Sequence, residues 1–149
     1  MIRVTRRYHF AASHRLHAPD LTEEENQRIY GKCNNPYGHG HNYVLDVSVR
    51  GPIDGATGRA VDLEALDRLV NEEVIRVYDH HNLNAELPEF STLVPTTENV
   101  ALEIDRRLHR SWSRYLPDSA AFLEKIRIAE TERNIFEVHE SLESSPSEN

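Results

Sequence analysis

The residues best suited to do chemistry lie in a short run that begins at Cys33 and ends at His41. This run holds the only cysteine of the chain and two histidines, His39 and His41, separated by one glycine. In an extended segment alternate side chains point to the same face, so the two imidazoles can converge on one ion. His14 supplies a third candidate ligand. Three neutral histidines that leave a fourth position to water or substrate form the coordination of a catalytic zinc ion.

The same residue types also allow a metal site without chemistry. If Cys33 were the fourth ligand, one cysteine and three histidines would close the coordination shell of a structural zinc ion. From the residues alone, both the open and the closed site remain possible.

Two further positions carry unusual chemistry. Asp79 and His80 are adjacent, and an imidazole beside a carboxylate can move protons near neutral pH while the acid fixes its tautomer. Such a pair also occurs at helix ends, where a histidine offsets the helix dipole.

Glu130 ends a predicted strand, where period two places it on the same side as Ile126 and Ile128. A carboxylate on an apolar face is costly unless it is paired.

Length and composition indicate one domain, which we place at residues 1–140, followed by a Ser/Glu-rich tail at 141–149 that we expect to be disordered. The net charge of −8 argues against nucleic-acid binding. A single cysteine excludes an internal disulfide and is typical of a cytoplasmic enzyme. No stretch approaches the roughly 20 apolar residues of a membrane span, and the first residues lack the apolar region of a signal peptide.

Hydrophobic periodicity predicts the element order ββααββ, an α+β fold with a four-stranded antiparallel sheet and two helices on one face. The predicted strands are residues 2–10, 41–51, 122–130 and 134–139, and the predicted helices are about 62–77, capped by Asp62, and 98–111, capped by Thr96 or Thr97. Residues 17–38 are predicted as a long loop with one short helix near Thr22, residues 79–95 as irregular, and residues 111–121 as a surface loop. A sheet of this size leaves two exposed edges, which invite pairing with other chains.

Six ordered elements resemble the 6-pyruvoyltetrahydropterin synthase family, which includes the 6-carboxytetrahydropterin synthases of queuosine biosynthesis. They are Phe10-x-Ala12-x-His14, Gly31-Lys32-Cys33-Asn34-Asn35, Gly38-His39-Gly40-His41-Asn42-Tyr43, Asp79-His80-x-Asn82-Leu83, Pro95-Thr96-Thr97-Glu98-Asn99-Val100 and Glu130-Thr131. The resemblance runs from about residue 3 to about residue 138. It implies the tunnelling fold, in which trimers close an antiparallel barrel and two trimers stack into a homohexamer.

The resemblance also implies a zinc-dependent reaction that converts 7,8-dihydroneopterin triphosphate into 6-pyruvoyltetrahydropterin and releases triphosphate, with magnesium accompanying the substrate. It assigns zinc to His14, His39 and His41, proton abstraction to Cys33, a proton relay to Asp79 and His80, and pterin binding to Glu130, with Thr96, Thr97 and Glu98 as a second recognition segment. We expect the adjacent Lys32 and the nearby metal to lower the pKa of the Cys33 thiol. Arg15 and Lys32 are the candidate contacts of the triphosphate.

Two alternatives accompany this interpretation. The carboxytetrahydropterin branch of the family typically has three residues between the cysteine and the first histidine of His-Gly-His, whereas five residues, 34–38, intervene here. This spacing favours the pyruvoyl branch. The second alternative is a non-catalytic zinc- or pterin-binding protein in which Cys33 is a ligand or a redox thiol.

Overall fold

The computed structural model describes residues 1–139. The elements follow in the order β1 (Ile2–His14), α1 (Glu23–Tyr30), β2 (His39–Gly51), α2 (Leu63–Val70), β3 (His81–Asn82), α3 (Leu83–Glu86), α4 (Thr97–Tyr115), β4 (Phe122–Ala129) and β5 (Ile135–His139). The predicted tail at 141–149, and with it the predicted domain end at residue 140, lies outside the described residues. None of the described helices is long and apolar enough to cross a membrane.

The sheet is built around one long antiparallel pair. Strands β1 and β2 align without interruption from the pair Ile2–Gly51 to the pair His14–His39. Strand β4 pairs antiparallel with β2, and β5 with β4, so the strand order is β3-β1-β2-β4-β5. Alternate residues of the central strand β2 are buried against the helices: Tyr43, Leu45, Val47 and Val49. The predicted period-two pattern of this strand is thereby confirmed.

The sheet has five strands rather than the predicted four. The additional strand, β3, pairs in parallel with β1 through Ala12 and Ser13 only. Two residues are too few to produce an alternating pattern, so the sequence carries no periodic signal for this strand.

Two helices cover the core face. Helix α2 begins after Asp62, whose carboxylate accepts hydrogen bonds from the backbone N–H groups of Glu64 and Ala65. The helical path continues through a π-helical turn (Asn71–Ile75) and a last α-helical turn (Arg76–Tyr78). Helix α4 begins after Thr96 and buries one stripe of apolar residues. The two helices contribute these fully buried side chains to the core: Leu66, Leu69, Val70, Val74, Val100, Ile104 and Leu108.

Three segments are more regular than predicted. Residues 79–95, predicted as irregular, contain β3, α3 and a 3-10 turn (Pro88–Ser91). Residues 111–115, predicted as part of a loop, complete α4, because Trp112 and Tyr115 pack against the core and extend its apolar stripe. Within the predicted loop at 17–38, Thr22 caps α1 and a 3-10 turn (Gly31–Asn34) follows directly. Buried Asn26 stabilises this segment by hydrogen bonds to the backbone of Ala18. The loop is therefore an ordered arm that carries Cys33 toward β1.

Candidate active site

Three histidine side chains meet where β1 ends and β2 begins. His14 is the register partner of His39, and His41 lies two residues further along the same face of β2. The Nε2 atom of His39 lies 3.1 Å from Nε2 of His14 and 3.0 Å from Nε2 of His41. The sequence argument placed both histidines of β2 on one face, and the register of the β1–β2 pair brings His14 to them.

His14 is held as a neutral ring with its Nε2 lone pair free. Its side chain is fully buried, and Nδ1 donates a hydrogen bond of 2.9 Å to the backbone carbonyl of Pro95. Burial lowers the pKa of His14 to about 4, which keeps the ring in the form that can bind a metal. The neighbouring carbonyl of Val94 accepts hydrogen bonds from the Asn99 side chain and the Thr96 backbone, which fixes this turn.

The contribution of Pro95 was missed in the sequence. A backbone carbonyl that orients a histidine carries no signature in residue types, although such contacts commonly fix the tautomer and direction of a metal-binding imidazole. Only the position of Pro95 immediately before the Thr-Thr-Glu-Asn motif placed it near a candidate recognition segment.

Of the two glycines flanking His39, only Gly38 is required by the backbone. Gly38 has φ +72°, and a Cβ atom there would lie 2.8 Å from the carbonyl oxygen of His14. A Cβ atom on Gly40 would meet only the carbonyl of Ala12 at 3.7 Å, an ordinary contact. Gly38 therefore permits the close approach of the turn to β1 that brings His39 to His14.

Cys33 lies beside the histidines, but its thiol is not activated by Lys32. Its Sγ atom and a ring nitrogen of each of His14 and His39 all lie within 4.8 Å of one another. Burial, and then the negative charge of Glu130, raise the pKa of the Cys33 thiol. The exposed Lys32 is not among the groups that shift this pKa, so the lowering expected from Lys32 is not found, while the lowering expected from a bound metal stays a prediction.

Glu130 reaches the same cluster from the end of β4. Its Oε1 atom lies 3.0 Å from Nε2 of His41 and 3.8 Å from Nε2 of His14, and its side chain is only 12% exposed. The acid that the sequence placed on an apolar face thus has polar partners there. Burial lowers the pKa of His41 despite the nearby carboxylate.

Asp79 and His80 are held against β1 rather than against Cys33. Oδ1 of Asp79 accepts a 2.8 Å hydrogen bond from the backbone N–H of Ala11, and Oδ2 lies 3.0 Å from Nδ1 of His80. The His80 backbone donates in turn to the carbonyl of Ala11. The imidazole of His80 is 83% exposed, and no hydrogen bond or ion pair within residues 1–139 joins Cys33 to either residue.

The second recognition segment follows Pro95 directly. Thr96 caps α4 by accepting a hydrogen bond from the backbone N–H of Asn99. Thr97 is buried, and its hydroxyl oxygen has no partner among the described residues. Glu98 is exposed in the first turn of the helix. Of the three, Glu98 is open to another molecule, whereas the unpartnered Thr97 hydroxyl is buried.

The histidine cluster suits a divalent metal. Zinc binds imidazole nitrogens at about 2.0–2.1 Å, which places neighbouring ligand atoms of a tetrahedral site about 3.4 Å apart. The observed separations of 3.0 and 3.1 Å are close to this value. Ligating atoms gather in two overlapping groups, one with His14, Cys33 and His39 and the other with His14, His41 and Glu130.

We expect Gly38→Ala to impair metal binding far more than Gly58→Ala. Both glycines have nearly the same positive φ, +72° and +70°, so both substitutions strain the backbone by about 1–2 kcal/mol. Only at position 38 does the new methyl group meet a backbone atom, the His14 carbonyl oxygen, whereas at position 58 it meets nothing within 4 Å. Cobalt(II) titration of both variants tests this. Equal losses of affinity would show that the approach of Gly38 to His14 does not position the ligands.

Comparisons with known proteins agree with the motifs. The family model of 6-pyruvoyl tetrahydropterin synthase matches residues 3–141. The 6-pyruvoyl tetrahydrobiopterin synthase of Poecilia reticulata is 46% identical over 132 residues, covering 89% of this chain and 86% of that protein, and the Homo sapiens protein of the same name is 45% identical, covering 89% and 87%.

Structural comparison gives the same result. The Caenorhabditis elegans 6-pyruvoyl tetrahydropterin synthase superposes with a TM-score of 0.84 at 38% identity, covering 94% of this chain and 96% of that one. The Plasmodium falciparum 6-pyruvoyl tetrahydropterin synthase shares the fold with a TM-score of 0.66 at 19% identity. The fold class predicted from the sequence is confirmed, apart from the strand count. The chain belongs to the 6-pyruvoyl tetrahydropterin synthase family.

Proposed function

We propose that this enzyme converts 7,8-dihydroneopterin triphosphate into 6-pyruvoyltetrahydropterin and releases triphosphate, as a lyase of tetrahydrobiopterin biosynthesis. The observation that carries the proposal is the convergence of three histidine Nε2 atoms beside Cys33. The curated relatives that match most of the chain bear the name of the pyruvoyl enzyme, which favours this product over the carboxy product.

We assign zinc to His14, His39 and His41. Their ring nitrogens are close enough to share one ion, and the low pKa of His14 keeps that ligand neutral. Zinc bound there would supply Lewis-acid chemistry that acidifies protons on the hydroxylated side chain of the substrate. The hydrogen bond from His14 to Pro95 would hold the ligand in the required direction.

Two groups would move the protons. Cys33 is placed to take a carbon-bound proton from the substrate side chain, since its sulfur lies beside His14 and His39. Asp79 fixes the Nδ1 side of His80, which leaves Nε2 as the proton-exchanging atom. Because His80 is exposed and is not joined to Cys33 within the described chain, we assign this pair to the active site of a neighbouring subunit.

We propose that the enzyme is a homohexamer formed from two trimers, as the resemblance implies, and open sheet edges support pairing between subunits. From Ile2 to Ala11, the outer edge of β1 pairs with no strand among the described residues, because β3 covers only Ala12 and Ser13. The outer edge of β5 is also unpaired in the described part of the chain. Such edges are completed when strands of neighbouring subunits pair with them.

We further propose that the enzyme acts in the cytoplasm.

The pterin ring would be recognised by carboxylate and hydroxyl groups around the histidines. A carboxylate can accept two hydrogen bonds from the 2-amino and ring N–H groups, and Glu130 lies at the cluster to do so. The segment Thr96, Thr97 and Glu98 follows the carbonyl that holds His14. The exposed carboxylate of Glu98 supports a polar contact from this segment.

The triphosphate requires positive charge in a chain of net charge −8. Arg15 and Lys32 line one cavity of about 400 Å³ beside the 3-10 turn that carries Cys33. Arg15 is anchored there by donating a hydrogen bond from Nε to the carbonyl of Asn34. We assign the triphosphate, together with magnesium, to this cavity.

The proposed reaction is tested by incubating the purified protein with 7,8-dihydroneopterin triphosphate, zinc and magnesium, and identifying the products by mass spectrometry. We expect a pyruvoyl product and triphosphate, with no acetaldehyde. A carboxy product with acetaldehyde would reassign the enzyme to the branch that serves queuosine biosynthesis. Absence of both products from a folded, zinc-loaded protein would favour a binding protein.

We expect Cys33→Ala to abolish turnover while zinc remains bound. Loss of a group that transfers a proton in the transition state lowers the rate by about 10²–10⁴-fold. Zinc content by elemental analysis, measured beside turnover, separates the catalytic role from a ligand role. Loss of zinc in this variant would instead assign Cys33 to a closed structural site.

We expect Lys32→Ala to raise KM for the triphosphate substrate about tenfold, since a hydrogen bond to a charged group contributes about 1.5–3 kcal/mol. The matched control is Arg28→Ala, which removes one exposed positive charge from α1 without touching the cavity. Steady-state kinetics at low and high salt measures both variants. If KM were equal in Lys32→Ala and the parent enzyme, the triphosphate would lie elsewhere.

A further inference from the structure

We propose that Glu130 is the fourth metal ligand of the substrate-free enzyme, and that the substrate side chain replaces it. The role of Glu130 in the reaction rests on the proposed function. The coordination itself is a property of the free protein and is tested by metal binding alone.

Glu130 shares one group of ligating atoms with His14 and His41, all within 4.8 Å of one another, and His39 adjoins both histidines. Nε2 of His39 lies 3.1 Å from that of His14 and 3.0 Å from that of His41, while Oε1 of Glu130 lies 3.0 Å from His41 and 3.8 Å from His14. These separations, 3.0 to 3.8 Å, bracket the edge of about 3.4 Å expected for a tetrahedral zinc site. The carboxylate oxygen thus lies close enough to His14 and His41 to share an ion with them.

Charge favours the same assignment. The Glu130 side chain is only 12% exposed, and within residues 1–139 its ion-pair contacts are to the imidazoles of His14 and His41 and to no lysine or arginine. A buried carboxylate without a positive partner is costly. A divalent cation among the three imidazoles would provide that partner, and the carboxylate would halve the charge of the cluster.

The backbone presents Glu130 firmly. Its N–H donates a 3.1 Å hydrogen bond to the carbonyl of Asn134, which closes the turn between β4 and β5. The register of Val44 with Ala129 then aims the next side chain of β4 along the face that carries Tyr43 and His41. Cys33, by contrast, shares a group of ligating atoms with His14 and His39 but not with His41, from which Glu130 lies 3.0 Å away. It is the weaker candidate for the fourth position.

Ligand exchange would give Glu130 two successive roles. In the free enzyme its carboxylate would complete the ligand set begun by the histidines, and binding of the substrate side chain would release it. The released carboxylate can then accept hydrogen bonds from the N–H groups of the bound pterin. One residue would thereby couple ring recognition to opening of the metal site.

The first test compares Glu130→Gln with Glu132→Gln, which removes the same charge from an exposed position in the same turn. Zinc affinity is measured on the metal-free proteins by competition with a chromophoric chelator. We expect Glu130→Gln to lose about tenfold or more, since even outer partners of metal ligands contribute 10–100-fold. The control should remain within about twofold of the parent protein. Parent-like affinity in Glu130→Gln would overturn the proposal.

The second test reads coordination directly in the cobalt(II) form. We expect the visible bands of a four-coordinate site in the parent protein and altered bands in Glu130→Gln. Glu130→Asp, which keeps a carboxylate, should fall between them, and it serves if the Gln variant misfolds. Unchanged bands in both variants, or a thiolate charge-transfer band that disappears in Cys33→Ala, would overturn the proposal. Because neither test uses turnover, a failure here is distinguishable from a failure of the proposed reaction.

Discussion

The register of β1 against β2 is the constraint on which the rest of the site depends. His14 belongs to one strand, while His39 and His41 belong to the other. Side chains alternate between the two faces of a strand, so a slip of one residue would turn His14 away from its partners. The same slip would expose the buried apolar residues of β1, so core packing and ligand geometry select the same register. The energy that aligns the histidines therefore comes from the whole sheet.

Strand β1 is also the scaffold for the groups that do not belong to it. The backbone of Ala11 accepts from His80 and donates to Asp79, and beyond the strand the N–H of Leu16 donates to the carbonyl of Cys33. His14 itself donates to Pro95 and so joins β1 to the turn before α4. Backbone contacts of this kind place side chains while leaving their reactive atoms free. Chemistry-bearing residues from distant parts of the sequence are thus positioned by about six consecutive residues of the chain.

Local sequence information predicted the elements better than their contacts. Period two identified β2 and the face of Glu130, and the capping side chains of Asp62 and Thr96 marked two helix starts. The sequence did not predict β3, which is too short to show a periodic pattern. It also did not predict the last turn of α4, which depends on the packing of Trp112 against the core. The expected effect of Lys32 on Cys33 failed for a related reason. Adjacency in sequence does not bring two side chains together, and burial, followed by the charge of distant Glu130, raises the pKa of the thiol.

The histidine cluster and the Asp79–His80 pair differ in whether they depend on contacts between subunits. The cluster forms within one chain, because the Nε2 atom of His39 lies 3.1 Å from that of His14 and 3.0 Å from that of His41. His80 is held at φ +60°, an unfavourable conformation for a residue with a Cβ atom, and its ring still extends into solvent. It lies where β3 ends its short contact with β1 and the open edge begins. In the proposed hexamer, pairing at that edge and completion of the proton relay would occur at the same place. An isolated subunit would then bind metal without being able to turn over substrate, so assembly would be a condition of catalysis and not of metal binding.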